Sequence, residues 1–534
     1  MAHRFSYIQA QQTGFFSKLV TDYLTHKEGI KPFYKFEWDS EGSNKAIEER
    51  AKYPVNRKVL TDTLSKQYAG LELHPKVEHN LRLLEQENTF TVCTAHQPNL
   101  LTGYLYFVYK ILHAVKLTDE LNNSHPDKKF VPVYYMGSED NDLEELGVFK
   151  FRGEKYVWDG DGQSGAVGRM NPAGLKKMLS ELFKLFGPPG KDADRLQNIF
   201  TQAYLKHKTI GAATQYLVNE LFGKFGVIVL DPDDAALKAL YIPVMEDELL
   251  HQNAAPVLAK QIELLGQQYK IQAHPRDINL FYLADQLRSR IERDGDKWGV
   301  VNTDIQWSKS QLLEELHTHP ERFSPNVMLR GLYQETILPD VAFIGGGAEV
   351  AYWMQLKTLF EHYNGFFPCI YLRQSVMIMN PAQEKLQNQL DLSLKELFKS
   401  EELLTKEYVT RNSVGDWETK DESDAFDYII KEVRAKAISI DSTLGPAADA
   451  ALTRMRYQLT ILEKKMLRAE KKKMEVQLDR LSRLKSALFP NGSLQERVDN
   501  FSEYYMEYGE VFFDAIVEGI KPFGGEFMVI HHDK

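Results

Sequence analysis

A short apolar segment that runs straight into a polar turn and then a helix restricts the possible folds more than any other feature of this 534-residue chain. Phe90 to Thr94 reads as a buried strand, the turn after it carries His96, Gln97 and Asn99, and Leu105, Val108, Leu112 and Val115 recur on one face of a helix. A second apolar run, Phe130 to Met136, follows Asn122, Asn123 and Pro126 and closes the unit as strand, helix, strand. Strands joined by such a crossover pair in parallel, which predicts an α/β sheet with helices on its faces. A site is expected where the loop opens, at the carboxyl end of the first strand.

That second run leads into Gly137-Ser138-Glu139-Asp140-Asn141-Asp142-Leu143-Glu144-Glu145, with five carboxylates in seven residues. Such acids could coordinate a cation or orient an amine; equally, Ser138 could cap a helix whose first turn favours acids. The apolar run Phe225 to Leu230 likewise ends in Asp231-Pro232-Asp233-Asp234. A second strand, helix, strand unit lies between Ser324 and Met379. It contains Arg330 and Gln334, a strand at Val341 to Ile344, the turn Gly345-Gly346-Gly347-Ala348-Glu349, a helix with Tyr352 and Trp353, and a strand at Phe367 to Leu372 ending at Arg373. Three glycines suit a tight turn or a close approach to a ligand, and the helix behind them offers free N–H groups to an anion. With both units in one sheet, the loops at His96 to Thr102 and Gly345 to Glu349 share an edge with Glu139, Asp231 and Arg373.

The remainder of the core is less distinctive. Residues 1–88 read as mostly helical, and 147–200 as an insertion with Gly-rich turns, Arg169 and a break at Gly187-Pro188-Pro189-Gly190. A chain of this length exceeds one core, so two or three compact units are expected. No apolar run reaches the roughly 18–20 residues that span a bilayer, and Met1 to Thr25 lacks a basic stretch followed by an apolar one, which predicts a cytoplasmic protein without a membrane partner. Cys93 and Cys369 each sit in an apolar run, which fits a reducing compartment, and neither has metal-ligand spacing. A net charge of -10 argues against nucleic acid as a partner.

From Pro381 the pattern becomes helical, with a polar break at 412–420, further helix to Ile440, a turn at Ser442 to Pro446 and helix to Phe489. Leu452, Met455, Leu459, Leu462 and Met466 keep a heptad spacing, which slips through Glu470 and Met474 towards Leu478, Leu481 and Leu488. The last helix folding back on those before it makes an antiparallel coiled-coil arm, with Lys471 to Lys473 on a solvated face. The tail adds an aromatic-rich helix and a strand at Phe527 to Ile530.

Taken in order, Thr94-Ala95-His96-Gln97-Pro98-Asn99-Leu100-Leu101-Thr102-Gly103, Glu139-Asp140-Asn141-Asp142, Asp231-Pro232, Ile344 to Glu349 with Tyr352 and Lys357, and the late coiled coil resemble the bacillithiol biosynthesis cysteine-adding enzyme family across the whole chain. The resemblance implies a Rossmann-like core over 1–380 with connecting-peptide insertions at about 147–200 and 235–325. It also implies a coiled-coil arm over 381–490 that makes a homodimer, and a C-terminal helix and strand over 491–534 packing back on the core. The implied activity joins L-cysteine to the amine of glucosaminyl-malate through an activated carboxylate, with ATP or another nucleotide as cosubstrate. Glu139, Asp140, Asp142 and His96 are then the catalytic candidates. Gln97, Asn99, Thr102, Gly103, Arg330, Gln334, Gly345, Gly346, Gly347, Glu349, Tyr352 and Arg373 are the binding candidates, and no metal ligand is assigned. Within these, the His96 to Thr102 loop and its helix would hold an anion, the acids would orient the amine or sugar hydroxyls, and Arg330 and Arg373 would grip a carboxylate. The chain departs from the family pattern at His96, Asn141, Gly331 and Gly347-Ala348, which shifts weight from His96 to Gln97 and Asn99. It also lacks the His-x-Gly-His and Lys-Met-Ser-Lys-Ser signatures of class I synthetases. The alternatives are a nucleotide- or sugar-binding coiled-coil dimer without ligase activity, or a nucleotidyl or sugar transferase on the same sheet.

Overall fold

Five strands with almost no exposed side chain form the centre of the fold. In the computed structural model, which describes residues 3–188, 190–413, 417 and 419–532, these are β1 (Thr89–His96), β2 (Lys129–Met136), β3 (Ile228–Leu230), β4 (Asp340–Gly345) and β5 (Cys369–Leu372). Their near-continuous apolar composition suits strands covered on both faces, the usual condition of a parallel sheet. The order is β5-β4-β1-β2-β3 and every pair is parallel. β1 runs in step with β2 from Thr89 opposite Lys129 to His96 opposite Met136, while the β4–β1 register slips between Asp340 and Ala342. This is a doubly wound Rossmann-like sheet, and its order reverses between β1 and β4. Pro189 and part of the expected 412–420 break lie outside the described residues.

The β1–β2 crossover is α1 (Leu105–Ser124). The sequence predicts one apolar face, yet Tyr109, Lys110 and His113 are buried too, because the C-terminal segment covers a second face: Asp499 O accepts from Leu105 N at 2.9 Å and Pro522 O lies 3.3 Å from His113 Nε2. Between β2 and β3 the chain makes a hairpin (Val148–Phe151 with Glu154–Val157) and three longer helices. Between β3 and β4 it makes helices and a five-stranded sheet that includes the hairpin Leu280–Ala284 with Leu287–Asp294 and the strand Phe323–Pro325. It then enters α2 (Val327–Ile337), and α3 (Gly347–Trp353) follows β4.

The opening stretch is a correction. His3–Gln9, within the region read as mostly helical, is a strand paired antiparallel with Glu526–His532, from His3 opposite His532 to Gln9 opposite Glu526. Its partner lies some 500 residues away, so no local pattern announces it.

By internal contacts the chain divides into two units, one of residues up to 378 together with those from 493, the other of 379–492. The second contains α4 (Lys420–Ile440), α5 (Gly445–Lys473) and α6 (Glu475–Leu488). α4 and α5 are antiparallel, bridged by Arg434 to Asp449 at 2.8 Å and by Arg456 to Asp427 at 2.6 Å. The helix expected to run unbroken to Phe489 is interrupted at Met474 (φ -108°, ψ 18°), where the heptad slips. Among the described residues no helix is long and apolar enough to cross a membrane.

Candidate active site

At the carboxyl edge of the sheet, around the point where the strand order reverses, lies a cavity of about 390 Å³. β1 delivers Ala95 and His96 to its wall and the turn after it Gln97, the turn after β2 delivers Gly137, Glu139 and Asp140, and α3 with the turn before it delivers Gly346 to Glu349 and Tyr352. Arg330 of α2, Lys110 of α1, Arg288 of the inserted hairpin, Arg373 after β5 and Arg497 complete its cations.

These cations differ in how they are neutralised. Lys110, buried on α1, donates to Ala95 O at 2.8 Å and pairs with Glu349. Burial draws its pKa down while Glu349 opposes the shift. Arg373 meets both carboxylate oxygens of Glu496, at 2.6 and 2.9 Å. Arg330 donates to the Tyr352 hydroxyl and, at 3.2 Å, to Gln334 Oε1, and its guanidinium lies 5.5 Å from the Tyr135 ring centroid. Among the described residues it has no carboxylate in ion-pair contact, so it faces the cavity as an unneutralised charge.

The acidic run diverges. Glu139 turns inward to the buried Lys238, which also meets Asp233 at 2.9 Å; Arg169 holds the same Asp233 at 2.6 Å. Burial raises the Glu139 pKa against the pull of Lys238. Asp140 faces the cavity, accepting from Gln97 Nε2 at 3.1 Å and from Asn141 N at 2.7 Å. His96 Nε2 has no hydrogen-bond partner among the described residues, and burial, with Lys110 and Arg373 close by, holds the ring well below its usual pKa and therefore neutral. Beyond Gln97 the loop turns into the protein. Leu101 N donates to the Tyr204 hydroxyl at 2.8 Å, and Asn500 Nδ2 donates to Leu101 O at 2.8 Å and Gly103 O at 2.6 Å.

Comparison with known proteins gives this arrangement a context. Residues 3–374 match the family described as "Bacillithiol biosynthesis BshC, N-terminal Rossmann-like domain", and 376–532 match "Bacillithiol biosynthesis BshC, C-terminal coiled-coil domain". The chain belongs to the BshC family. Relatives named "Putative cysteine ligase BshC" include those of Flavobacterium johnsoniae, 40% identical over 98% of this chain and 99% of that protein, and Flavobacterium psychrophilum, 40% identical over the same shares. The protein of Salinibacter ruber is 28% identical over 95% of each chain.

For a BshC-family chain, the structure gathers His96, Gln97, Glu139, Asp140, Arg330, Gly346, Gly347, Glu349, Tyr352 and Arg373 around one cavity and moves the other candidates away from it. Asp142 caps the helix Leu143–Leu146, accepting from Glu145 N at 3.2 Å, and it is this residue rather than Ser138 that caps; Ser138 Oγ donates to Asp231 at 2.5 Å. Asn99, Thr102 and Gly103 are off the wall, because the loop after Gln97 is buried beneath Tyr204 and Asn500. The expected anion site at the start of α1 is likewise closed, its Leu105 N–H being taken by Asp499 O. Gln334 is fully buried behind Arg330 and donates to Glu335 and Asp340. Gly345 packs against Phe343 rather than facing the cavity, and Gly346 N donates to Glu349 at 2.8 Å, so that group is not open to an anion. Arg373 grips a carboxylate belonging to Glu496, not to a substrate, and the neutral, cation-flanked His96 is a poor proton acceptor. Sequence reasoning missed Lys110, Lys238, Arg288 and Glu496. Of these only Lys110 leaves a local sign, a lysine in the largely apolar and aromatic run Leu105 to Leu112.

Proposed function

We propose that this chain forms an amide, joining the carboxyl of L-cysteine to the amine of glucosaminyl-malate at the carboxyl edge of the sheet. The observation that carries the reading is Arg330: a charge held in the wall of the cavity by Tyr352 and Gln334, without a carboxylate of its own among the described residues, fits an anionic substrate that completes the pair. Asp140, fixed by Gln97, is an acid facing the cavity and would orient the amine and take its proton as the carbon–nitrogen bond forms. His96, kept neutral, would hydrogen-bond the reacting carbonyl through Nε2. A carboxylate needs a leaving group before an amine can displace it, and ATP or another nucleotide would supply one. Arg330 and Arg497, two lining cations without a carboxylate contact among the described residues, would meet its phosphates. The family name of the relatives points to the same chemistry.

The test is incubation of the purified protein with glucosaminyl-malate, cysteine and ATP, followed by mass spectrometry for the thiol product and for AMP or ADP. Product with either nucleotide supports the reading; binding of the substrates without turnover under several nucleotides overturns it. Arg330→Ala should lower kcat/KM by about 30-fold or more, the usual cost of truncating one side of a buried charge contact.

A homodimer belongs to the same proposal. Met455 and Leu462, one heptad apart on α5, are each 52% exposed, whereas Leu452, Leu459 and Met466 of the alternate heptad position are half-buried. Tyr428, Ile429 and Ile440 of α4 are exposed as well. One heptad line left open on a helical hairpin suits a further helix, and a second copy supplies it.

A further inference from the structure

Residues 164–169, at the end of the Gly-rich part of the first insertion, lie against the turn that presents Asp140. That turn, 137–142, belongs to no helix or strand, so its backbone groups need partners from elsewhere. Gly137 N donates to His96 O at 2.8 Å, at the edge of the sheet. The carbonyls of Ser138 and Asp140 are taken by the insertion: Gly168 N donates to Ser138 O at 2.8 Å and Val167 N to Asp140 O at 2.7 Å. The approach is close enough to require glycine. A Cβ at Gly168 would stand 2.5 Å from Ser138 O and 2.6 Å from Ser138 Cβ, and neither atom is the end of a flexible side chain.

The same segment reaches two further parts of the protein around the cavity. Arg169 meets both carboxylate oxygens of Asp233, at 2.6 and 2.7 Å, and Asp233 shares Lys238 with Glu139. Ser164 N donates to Gln286 Oε1 at 2.8 Å and its hydroxyl to Gln286 O at 2.6 Å, in the turn of the inserted hairpin. Two residues on, Arg288 donates to Asn141 Oδ1 at 2.9 Å and lies 4.0 Å from the Asp140 carboxylate. Asp140 and its arginine thus come from separate segments of the chain, and one strap is bonded to both segments. A reacting group must be held within about 0.5 Å of its working position by the contacts behind it. We infer that 164–169 is a positioning strap for Asp140, with Gly168 and Arg169 as its positioning residues. Its backbone hydrogen bonds set the turn 138–140, and its contacts with Asp233 and Gln286 set the neighbouring segments against that turn. The role of Asp140 as proton acceptor rests on the ligase reading; the joining of three segments by the strap does not.

Hydrogen exchange of the full chain, read by mass spectrometry, tests the strap without turnover. Gly168→Ala should speed exchange by about tenfold or more in peptides covering 164–170 and 137–142, while β1 keeps its protection. Arg169→Gln should speed both peptides a few-fold, with Arg169→Lys in between, and it carries the same test if Gly168→Ala does not fold. Exchange in 137–142 as slow as in the wild type overturns the inference, as does an equal loss in β1, which a loosening of the whole fold would give. Turnover then asks whether the strap acts through Asp140. Gly168→Ala should lower kcat by about tenfold or more in the wild-type background and by less than about twofold in Asp140→Asn, because a group already removed cannot be misplaced. The same factor in both backgrounds overturns the inference. Coupled exchange of the two peptides in a protein that makes no amide would remove the ligase reading and leave the strap standing.

Discussion

Asp231 shows how a single residue beside the cavity ties its chemistry to stability. Burial first, and then Asp233, push its carboxyl up to about 7, while Lys238 and Arg169 hold Asp233 down at about 2 despite its burial. In an unfolded chain Asp231 would titrate near ~3.9, so over the interval between these values the folded state keeps a proton that the unfolded state has released. Its contribution to stability is fully present below about pH 4 and is lost as the pH rises through about 7. Asp231→Asn keeps the acceptor used by Ser138 and Asp233 N and removes the titration. Relative to wild type it should gain on the order of 2 kcal/mol between pH 4 and pH 8, less than an isolated shift of this size would give because Asp233 titrates with it. Urea denaturation across that range checks this, and a constant difference between the two proteins would refute it. Residues at this scale were legible where a strand end announced them. His96, Gln97, Asp140 and Arg330 stand at or near the ends of recognisable elements, whereas Arg288 is one of three arginines in a single strand segment, Leu287–Asp294, and only the folded hairpin singles it out. Glu496 was hidden for another reason: its partner Arg373 is 123 residues away in the chain.

Among the elements, the loop between β1 and α1 is the most constrained. Leu101, Thr102 and Gly103 all have positive φ, and Gly103 at φ 64° and ψ -117° adopts a conformation that side chains avoid. A Cβ there would also stand 2.9 Å from Asn99 Cβ. Gly103→Ala should therefore cost about 1–3 kcal/mol, through strain that Asn500 and Tyr204 cannot relieve without releasing the loop. Gly346→Ala is the contrast: its φ is -73° and the nearest atom to an added Cβ is Glu349 Oε2 at 3.5 Å. It should fold with a midpoint within about 0.5 kcal/mol of wild type, as substitutions without a structural conflict do. Denaturant midpoints of the two variants decide the matter; similar losses in both would show that the strain at Gly103 is not what the loop depends on. Within the conspicuous triplet Gly346 is thus less demanding than the lone Gly103, because a triplet is visible in a chain and a dihedral angle is not. Periodicity made β1, α1, β2 and β4 readable, since each buries a repeating set of side chains. It could not reveal His3–Gln9, whose strand state depends on pairing with Glu526–His532, nor the break at Met474, where the slip in the heptads was visible but its effect on the backbone was not.

In the molecule as a whole, the chain leaves the core after residue 378 and rejoins it at 493, so that Glu496 and Asn500, which hold Arg373 and the β1–α1 loop, reach the core only after the helical unit has been made. The boundary between the two matched family regions, at 374 and 376, falls at the first of these crossings and not at the second. The helical unit itself has little core to spare: α4 and α5 are joined by exposed ion pairs that contribute only modestly, and much of their apolar surface is open. If a second copy covers that surface, as proposed, the wild type sediments at twice the chain mass, and Met455→Glu with Leu462→Glu, which puts two charges on the open heptad line, should shift it towards the single-chain mass. Both positions are exposed in the single chain, so helical circular dichroism should remain unchanged. A wild type of single-chain mass would refute the dimer, and a doubly substituted protein that stays dimeric would place the contact away from this line. The comparison separates association from folding, because a charge on an already solvated helix face costs the isolated chain little while a charge buried between two copies is expensive.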